Sequence, residues 1–392
     1  MIGIVAGAGA ESLYAIETAK KLGFTVISFD GNESAEGLYA ADEHYVLDIR
    51  KPEQIVEALG DRRPDAVIPV PIGRYLISGA YINDYYGLKG ISENAAQNCT
   101  DKYKFHCKLH DKGLRDSECI LIHSGESNMQ KMPKGYPVIV KPRYGSGSRS
   151  VAEYFSGEEL ITDFLDNAPF NEDYIVESAF QGTEYGIDGA VINGVLHIIL
   201  IRKKLLTNPP ARQCIGYMSV KDKELYKRVN NYLMHVVKEL GINQTVFHAD
   251  MLDDGENVFA VELSGRPSGH NLHNIFTPYA AGVDMVAEYL KFCMDMPYSF
   301  EPHNIKNMII RYFDFEDCRA ISVPDKQELL EEYPLISYEC NIKEGEYLGK
   351  VKDGHSVMGR GYFILEGENE QELILNSEKI LGRFRLQDGG MG

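Results

Sequence analysis

Asp250 and Glu262 stand twelve residues apart in two apolar stretches, Phe247-His248-Ala249-Asp250-Met251 and Val258-Phe259-Ala260-Val261-Glu262-Leu263. The turn Asp253-Asp254-Gly255-Glu256 lies between them, and together they predict a β-hairpin with the two carboxylates near each other across the pair. Carboxylates that close repel unless a cation lies between them, and Mg²⁺ bound to phosphate oxygens is the natural one. Ordinary surface acids are the bland alternative, but both acids sit among apolar residues, where an uncompensated carboxylate is costly. Alternation along the second strand puts Glu262, Ser264 and Arg266 on one face.

A second stretch suits the same ligand. Lys141-Pro142-Arg143-Tyr144-Gly145-Ser146-Gly147-Ser148-Arg149 follows the apolar run Pro137-Val138-Ile139-Val140. A lysine at a strand end, then a Gly-Ser loop, offers one fixed cation and several unobstructed backbone N–H groups for a polyphosphate. The lysine precedes the glycines and no G-K-[ST] occurs, so this is not a Walker loop. Arg202, Lys203, Lys204 and Arg212 form a further basic cluster around Thr207-Asn208-Pro209-Pro210. His270 and His273 lack the neighbours a zinc site would want and read as structural or substrate-facing. Arg74 and Arg311 are candidates for fixing a substrate carboxylate.

Charge agrees with an anion-binding pocket in an acidic body. The 392 residues carry 40 Lys+Arg and 58 Asp+Glu, a formal net charge of −18, yet residues 101–150 alone hold ten basic and five acidic residues. The overall acidity argues against a nucleic-acid partner. Seven cysteines without a C-x-x-C pair argue for free thiols in a reducing compartment. No apolar run approaches the roughly 20 residues of a membrane helix, and no basic leader precedes the first strand; a soluble cytoplasmic protein is expected.

The elements that must position these residues read as three units. Residues 1–97 alternate strands (Gly3 to Gly7, Thr25 to Phe29, Tyr45 to Leu47, Ala66 to Val70) with helices, which predicts a doubly wound parallel α/β domain. Gly7-Ala8-Gly9-Ala10-Glu11, with Asp30 after the second strand, invites a nicotinamide-dinucleotide reading, but Ser12 replaces the third glycine of that fingerprint. Residues 98–302 carry the candidate chemistry and a helix whose Leu225, Val229, Leu233, Val236, Val237 and Leu240 share one face before Gly241. Residues 303–392 form an α+β cap, with a strand at Met308 to Phe313, a helix at Pro324 to Tyr333, a strand at Gly361 to Leu365 and a helix around 369–382.

These motifs, in this order, resemble the ATP-grasp superfamily and within it the carboxylate–amine ligases of amino acids and peptides. The resemblance runs through Asp101-Lys102, Pro137 to Pro142 with its loop, Ile175-Val176-Glu177-Ser178-Ala179-Phe180-Gln181-Gly182-Thr183-Glu184, and Asp250 to Arg266. It implies an ATP-grasp fold: an N-terminal α/β domain, a two-lobed ATP clamp and a C-terminal α+β cap. It also implies that Lys102 and Lys141 hold ATP phosphates under a loop containing Ser146, Gly147 and Ser148. Glu177 and the backbone near Ala179 resemble the hinge facing adenine, and Glu184 the acid that takes the ribose hydroxyls. Asp250, Glu262 and Ser264 resemble the Mg²⁺ ligands, Ser264 standing where the family usually has Asn.

Arg266 resembles the cation beside the transferred phosphate, and the loop bearing Arg212 either folds over the activated substrate or is a plain solvated excursion. The implied cofactors are ATP and Mg²⁺, two ions, with Mn²⁺ able to substitute. The expected partners are a small-molecule carboxylate and an amine, joined as an amide with release of ADP and phosphate; a homodimer is compatible with this. Competing readings are a carboxylase, a carbamoyl-phosphate-type synthase or a small-molecule kinase of the same superfamily, a nucleotide sensor without catalysis, and a nicotinamide enzyme.

Overall fold

The computed structural model describes residues 1–123, 133–145, 150–165, 172–207, 213–351 and 354–388. Ile2–Ala6, Thr25–Asp30, Glu43–Val46 and Ala66–Val67 form a four-stranded parallel sheet with Ile2–Ala6 between Thr25–Asp30 and Ala66–Val67. Ile4, Val5, Val26, Ile27 and Phe29 are fully or almost fully buried, as near-continuous apolar strands covered on both faces should be. The glycine turn after the first strand does not present a dinucleotide site. The Asp30 carboxylate accepts from Ala8 N at 2.7 Å and Asn32 N at 2.8 Å, so it ties the glycine turn to the turn that follows the second strand. Gly37 N also donates to Ala8 O at 2.8 Å, and a Cβ at Gly37 would lie 2.3 Å from Ser12 Oγ. The helix Glu36–Ala40 therefore packs directly on the turn, where a pyrophosphate would have to lie.

The central part consists of two antiparallel sheets. The smaller has the order Ile120–Ile122, Tyr174–Ser178, Val138–Pro142, Ala152–Tyr154 and its own core of Ile122, Val138, Val140, Leu160, Phe164, Tyr174 and Val176. The larger begins with Val258–Ser264 at one edge and continues through Thr245–Asp253, Thr183–Ile192, Val195–Leu206 and Cys214–Ser219. The helix Lys223–Leu240 packs on it through the six apolar residues that share its predicted face, all of them buried. Asp222 caps this helix by accepting from Glu224 N and Leu225 N, and Gly241 (φ 74°) ends it.

The large sheet does not stop where the third unit begins. Met308–Tyr312 pairs with Cys214–Ser219, and Gly361–Glu366 and Leu335–Cys340 follow outward, giving eight strands. The C-terminal elements thus extend the same sheet, with the helices Lys326–Glu332 and Glu370–Leu381 and a three-stranded sheet beside them. At the other end, the helix Glu93–Thr100 crosses residue 97, and Val5, Ala15, Ile16 and Val26 share one core with Ala190, Ile199, Phe276 and Ile310. All seven cysteines are free thiols. No helix among the described residues is long and apolar enough to cross a membrane.

Candidate active site

A cavity of about 380 Å³ opens between the two antiparallel sheets and reaches the N-terminal glycine turn. Lys102, Lys141, Glu177, Ala179, Glu184, Asp250, Glu262 and Arg266 all line it. They come from several separate elements, and local structure explains how these converge.

The hairpin carries the two acids. Thr245–Asp253 and Val258–Ser264 pair antiparallel with Asp250 directly opposite Glu262. Asp250 is the more enclosed. Lys204 Nζ lies 2.6 Å from its Oδ2, and His248 Nε2 lies 3.3 Å from its Oδ1. Burial works against its charge, but Lys204 and His248 outweigh this and hold the carboxyl well below its ordinary range. Beneath it, Asp188 and Arg202 form a fully buried pair, and Asp188 Oδ1 lies 3.1 Å from His248 Nδ1. Thr277 and Ser268 hydroxyls add hydrogen bonds to Asp188 at 2.7 and 3.2 Å, so this charge is compensated on every side.

The lysines are brought together by one arginine. Asp101 caps the helix Lys102–Asp111, accepting from Tyr103 N and Lys104 N, and also receives Arg143 in a two-pronged pair at 2.9 and 2.6 Å. Burial alone would raise the Asp101 pKa, but the Arg143 hydrogen bonds and charge bring it below the usual value. The start of the helix with Lys102 is thereby tied to the segment that follows Lys141. Lys102 Nζ donates to Gly145 O at 2.6 Å, and desolvation pulls its pKa down. Lys141, on Val138–Pro142, places Nζ 2.6 Å from Glu177 Oε1.

Glu177 is the centre of a buried cluster. Its other oxygen takes Arg115 Nη2 at 2.7 Å and lies 3.0 Å from His106 Nε2. Burial opposes its charge, but His106, Lys141 and Arg115 overcome that and hold it well below the ordinary glutamate value. Burial pushes the His106 imidazole down to about 4, so it is neutral at pH 7. The expectation for Glu177 therefore changes: it lies on Tyr174–Ser178, and its carboxylate braces Lys141 and Arg115 and is not left to meet a base. The N–H of Ala179 is also engaged, donating to Pro137 O at 3.0 Å, so it is not the donor that reads a base edge.

Arg115 was not legible as a site residue. It donates to Ala260 O at 3.3 Å and lies over the Phe180 ring at 4.8 Å, while Phe180 stacks on Phe259 at 4.4 Å. These groups line the cavity, and the stacked Phe180 and Phe259 rings give it a flat apolar wall. The only sequence signal was an isolated arginine between two elements, which is common on any surface.

The remaining expectations divide. Glu184 lines the cavity, with Lys204 Nζ 3.7 Å away. Arg266 lines it as well; it donates to Pro267 O at 2.8 Å and makes no ion pair among the described residues. Ser264 stands opposite His248 on the hairpin, two residues beyond Glu262 on the same strand. Ser146, Gly147, Ser148 and Arg212 lie outside the described residues.

Arg311 does not present itself to a substrate. Its Nη1 donates to Ile215 O and Tyr312 O, and its Nη2 pairs with Asp314. Arg74 stacks on the Tyr144 ring at 4.0 Å. His273 is buried edge-on to Tyr14, and burial lowers its pKa, so it is a neutral core residue. His270 lines the cavity, with its backbone N–H bonded to the Glu11 carboxylate.

Residues 134–274 match the family described as ATP-grasp domain. The chain is similar in fold to an L-amino acid ligase from Bacillus licheniformis (TM-score 0.81, 16% identity, 99% of this chain and 98% of that one). It is 26% identical over 276 residues to a formate-dependent phosphoribosylglycinamide formyltransferase from Nitratiruptor, covering 66% of this chain and 68% of that protein. It is 27% identical over 203 residues to the carbamoyl phosphate synthase large chain of Pseudomonas putida, covering 47% of this chain. The match spans only 19% of the length of that large chain.

Proposed function

We propose that this protein is an ATP-dependent ligase that joins a small carboxylate to an amine, forming an amide or peptide bond and releasing ADP and phosphate. The observation that carries this is the direct pairing of Asp250 with Glu262 on the wall of the cavity that also holds Lys102, Lys141 and Arg266. Two carboxylates among three cations suit a divalent ion at the phosphate end of a nucleotide. They are hard oxygen donors, as Mg²⁺ requires, and leave most of its roughly six positions to phosphate and water. Asp250 and Glu262 would hold the ion, which supplies neutralisation of phosphate charge.

The nucleotide's base lies against Phe180 and Phe259, and its ribose near Glu184. Lys102 and Lys141 then face the phosphates, with Lys141 steadied by Glu177. Arg266, which shares the cavity lining with Glu11, Ser268 and His270, would then face the carboxylate substrate.

A carboxylate is a poor electrophile because its charge repels nucleophiles and oxide cannot leave. Its oxygen attacks the γ-phosphorus, the bond to the β,γ-bridging oxygen breaks, and ADP departs. The acyl phosphate so formed is attacked at carbon by the amine nitrogen, the carbon–oxygen bond to phosphate breaks, and the nitrogen gives up a proton. The chain's contribution is alignment and charge neutralisation by Lys102, Lys141 and Arg266. No protein nucleophile takes part.

The test is a pairwise screen of amino acids and small carboxylic acids, formate and bicarbonate included, with phosphate release as the first readout and mass spectrometry of the product as the second. Phosphate released only when both a carboxylate and an amine are present, together with an amide of the combined mass, is the expected result. Phosphate release with bicarbonate alone, and no amide from any pair, would favour a carboxylase of the same fold; ADP formed with one acid and no phosphate release would favour a kinase.

A further inference from the structure

Lys204 has a position that the reading above does not explain. It lies on Val195–Leu206, opposite Tyr217 of the neighbouring strand, and its side chain is 10% exposed. Its ammonium lies 2.6 Å from Asp250 Oδ2 and 3.7 Å from Glu184 Oε2, and it lines the cavity. A lysine this enclosed keeps its charge only where carboxylates compensate for lost water. Here one of those carboxylates is the acid that, on our reading, must also hold a metal. Among the described residues, no group of three or more His, Cys, Asp or Glu is placed to hold a metal ion.

We infer that Lys204 is the resident counter-ion of the metal position: it occupies Asp250 until nucleotide arrives, so the site takes a divalent ion together with nucleotide and not before. This rests on Asp250 and Glu262 being the metal pair. A divalent ion arriving alone would have to displace the ammonium from Asp250 and remain beside it, two cations in one enclosed space with few ligands. A nucleotide changes both terms. Its phosphate oxygens supply the missing ligands, and its negative charge gives the displaced ammonium a new partner within the same cavity. The consequence is an order of loading written into the resting structure.

Mn²⁺ binding, followed by electron paramagnetic resonance of the free ion, tests this without any turnover. In nucleotide-free protein, Lys204→Met should bind Mn²⁺ at least tenfold more tightly than wild type, while Lys204→Arg, which keeps the cation, should not. A general loosening of structure would weaken metal binding and would not produce this gain. Adding Asp250→Asn to Lys204→Met should abolish the gain. Lys204→Gln, which keeps a donor toward Asp250, serves if the Met variant fails to fold, with the same expected tightening. If folded Lys204→Met and Lys204→Gln bind Mn²⁺ as wild type does, while Asp250→Asn alone still weakens Mn²⁺ binding in the presence of ADP, the inference is overturned and the metal reading stands. If Asp250→Asn leaves Mn²⁺ binding unchanged in the presence of ADP, the metal reading fails and the inference with it.

Discussion

On the proposed function, Glu262 is the residue on which the chemistry depends most directly. It faces Asp250 across the hairpin and lines the cavity with Lys102 and Arg266. Glu262→Gln removes one charge and almost no volume, so the hairpin should survive. We expect turnover to fall by about 10²–10³-fold or more, with an unchanged circular dichroism spectrum. Near-normal turnover at saturating Mg²⁺ would sink the assignment.

The cluster around Glu177 predicts a pH dependence of stability. The folded His106 is held at about 4 against 6.5 for an unperturbed histidine, so the unfolded chain binds its proton more readily between those values. Its contribution is complete above about pH 6.5 and is lost as pH falls toward 4. That amounts to about 2–4 kcal/mol. Glu177 is depressed below 4.5, and its contribution is lost at lower pH still, as pH falls through the folded value. The urea midpoint of wild type should therefore decline as pH falls below about 6.5, and in His106→Gln that decline should be shallower, with His273, whose pKa burial also lowers, still contributing to it. Superimposable pH profiles for the two proteins would contradict this account of the cluster.

At the scale of elements, legibility followed the range of the interaction. The hairpin with Asp250 opposite Glu262 and the buried face of Lys223–Leu240 are local patterns, written in alternation, helical spacing and a turn. The four parallel strands likewise appear as apolar runs between turn residues. Sheet membership is different. The pairing of Tyr217 with Ile310, and of Ile310 with Ile364, joins residues far apart in sequence and leaves no periodic trace. For that reason the C-terminal unit read as a separate cap, whereas its strands extend the sheet that carries Lys204 and Asp250.

Arg115 and His106 were missed for the same reason: their partner Glu177 is remote in sequence. The junction makes a prediction of its own. A Cβ at Gly216 would lie 2.4 Å from Ile310 O, a backbone atom that cannot move without opening the sheet. Gly216→Ala should cost about 1–3 kcal/mol in urea unfolding. A midpoint equal to wild type would mean that the two strands are not held in this register.

For the whole molecule, the order of bond making is the central claim, because it separates a ligase of this type from an adenylating enzyme and from a nucleotide sensor. On the proposed reading the base lies against Phe180 and Phe259, which leaves the lysines and the Asp250–Glu262 pair to the phosphates and favours attack at the γ-phosphorus. If an acyl phosphate forms first, ATP, Mg²⁺ and the carboxylate substrate are sufficient for reversible transfer, and the amine is not required. The direct measurement is positional isotope exchange in ATP labelled at the β,γ-bridging oxygen, with the carboxylate from the screen and no amine. Our account predicts that label scrambles into the β-nonbridging positions under these conditions, and that adding the amine gives ADP and phosphate in equal amounts with the amide. The appearance of AMP and pyrophosphate in step with product, with no β,γ exchange, would contradict it.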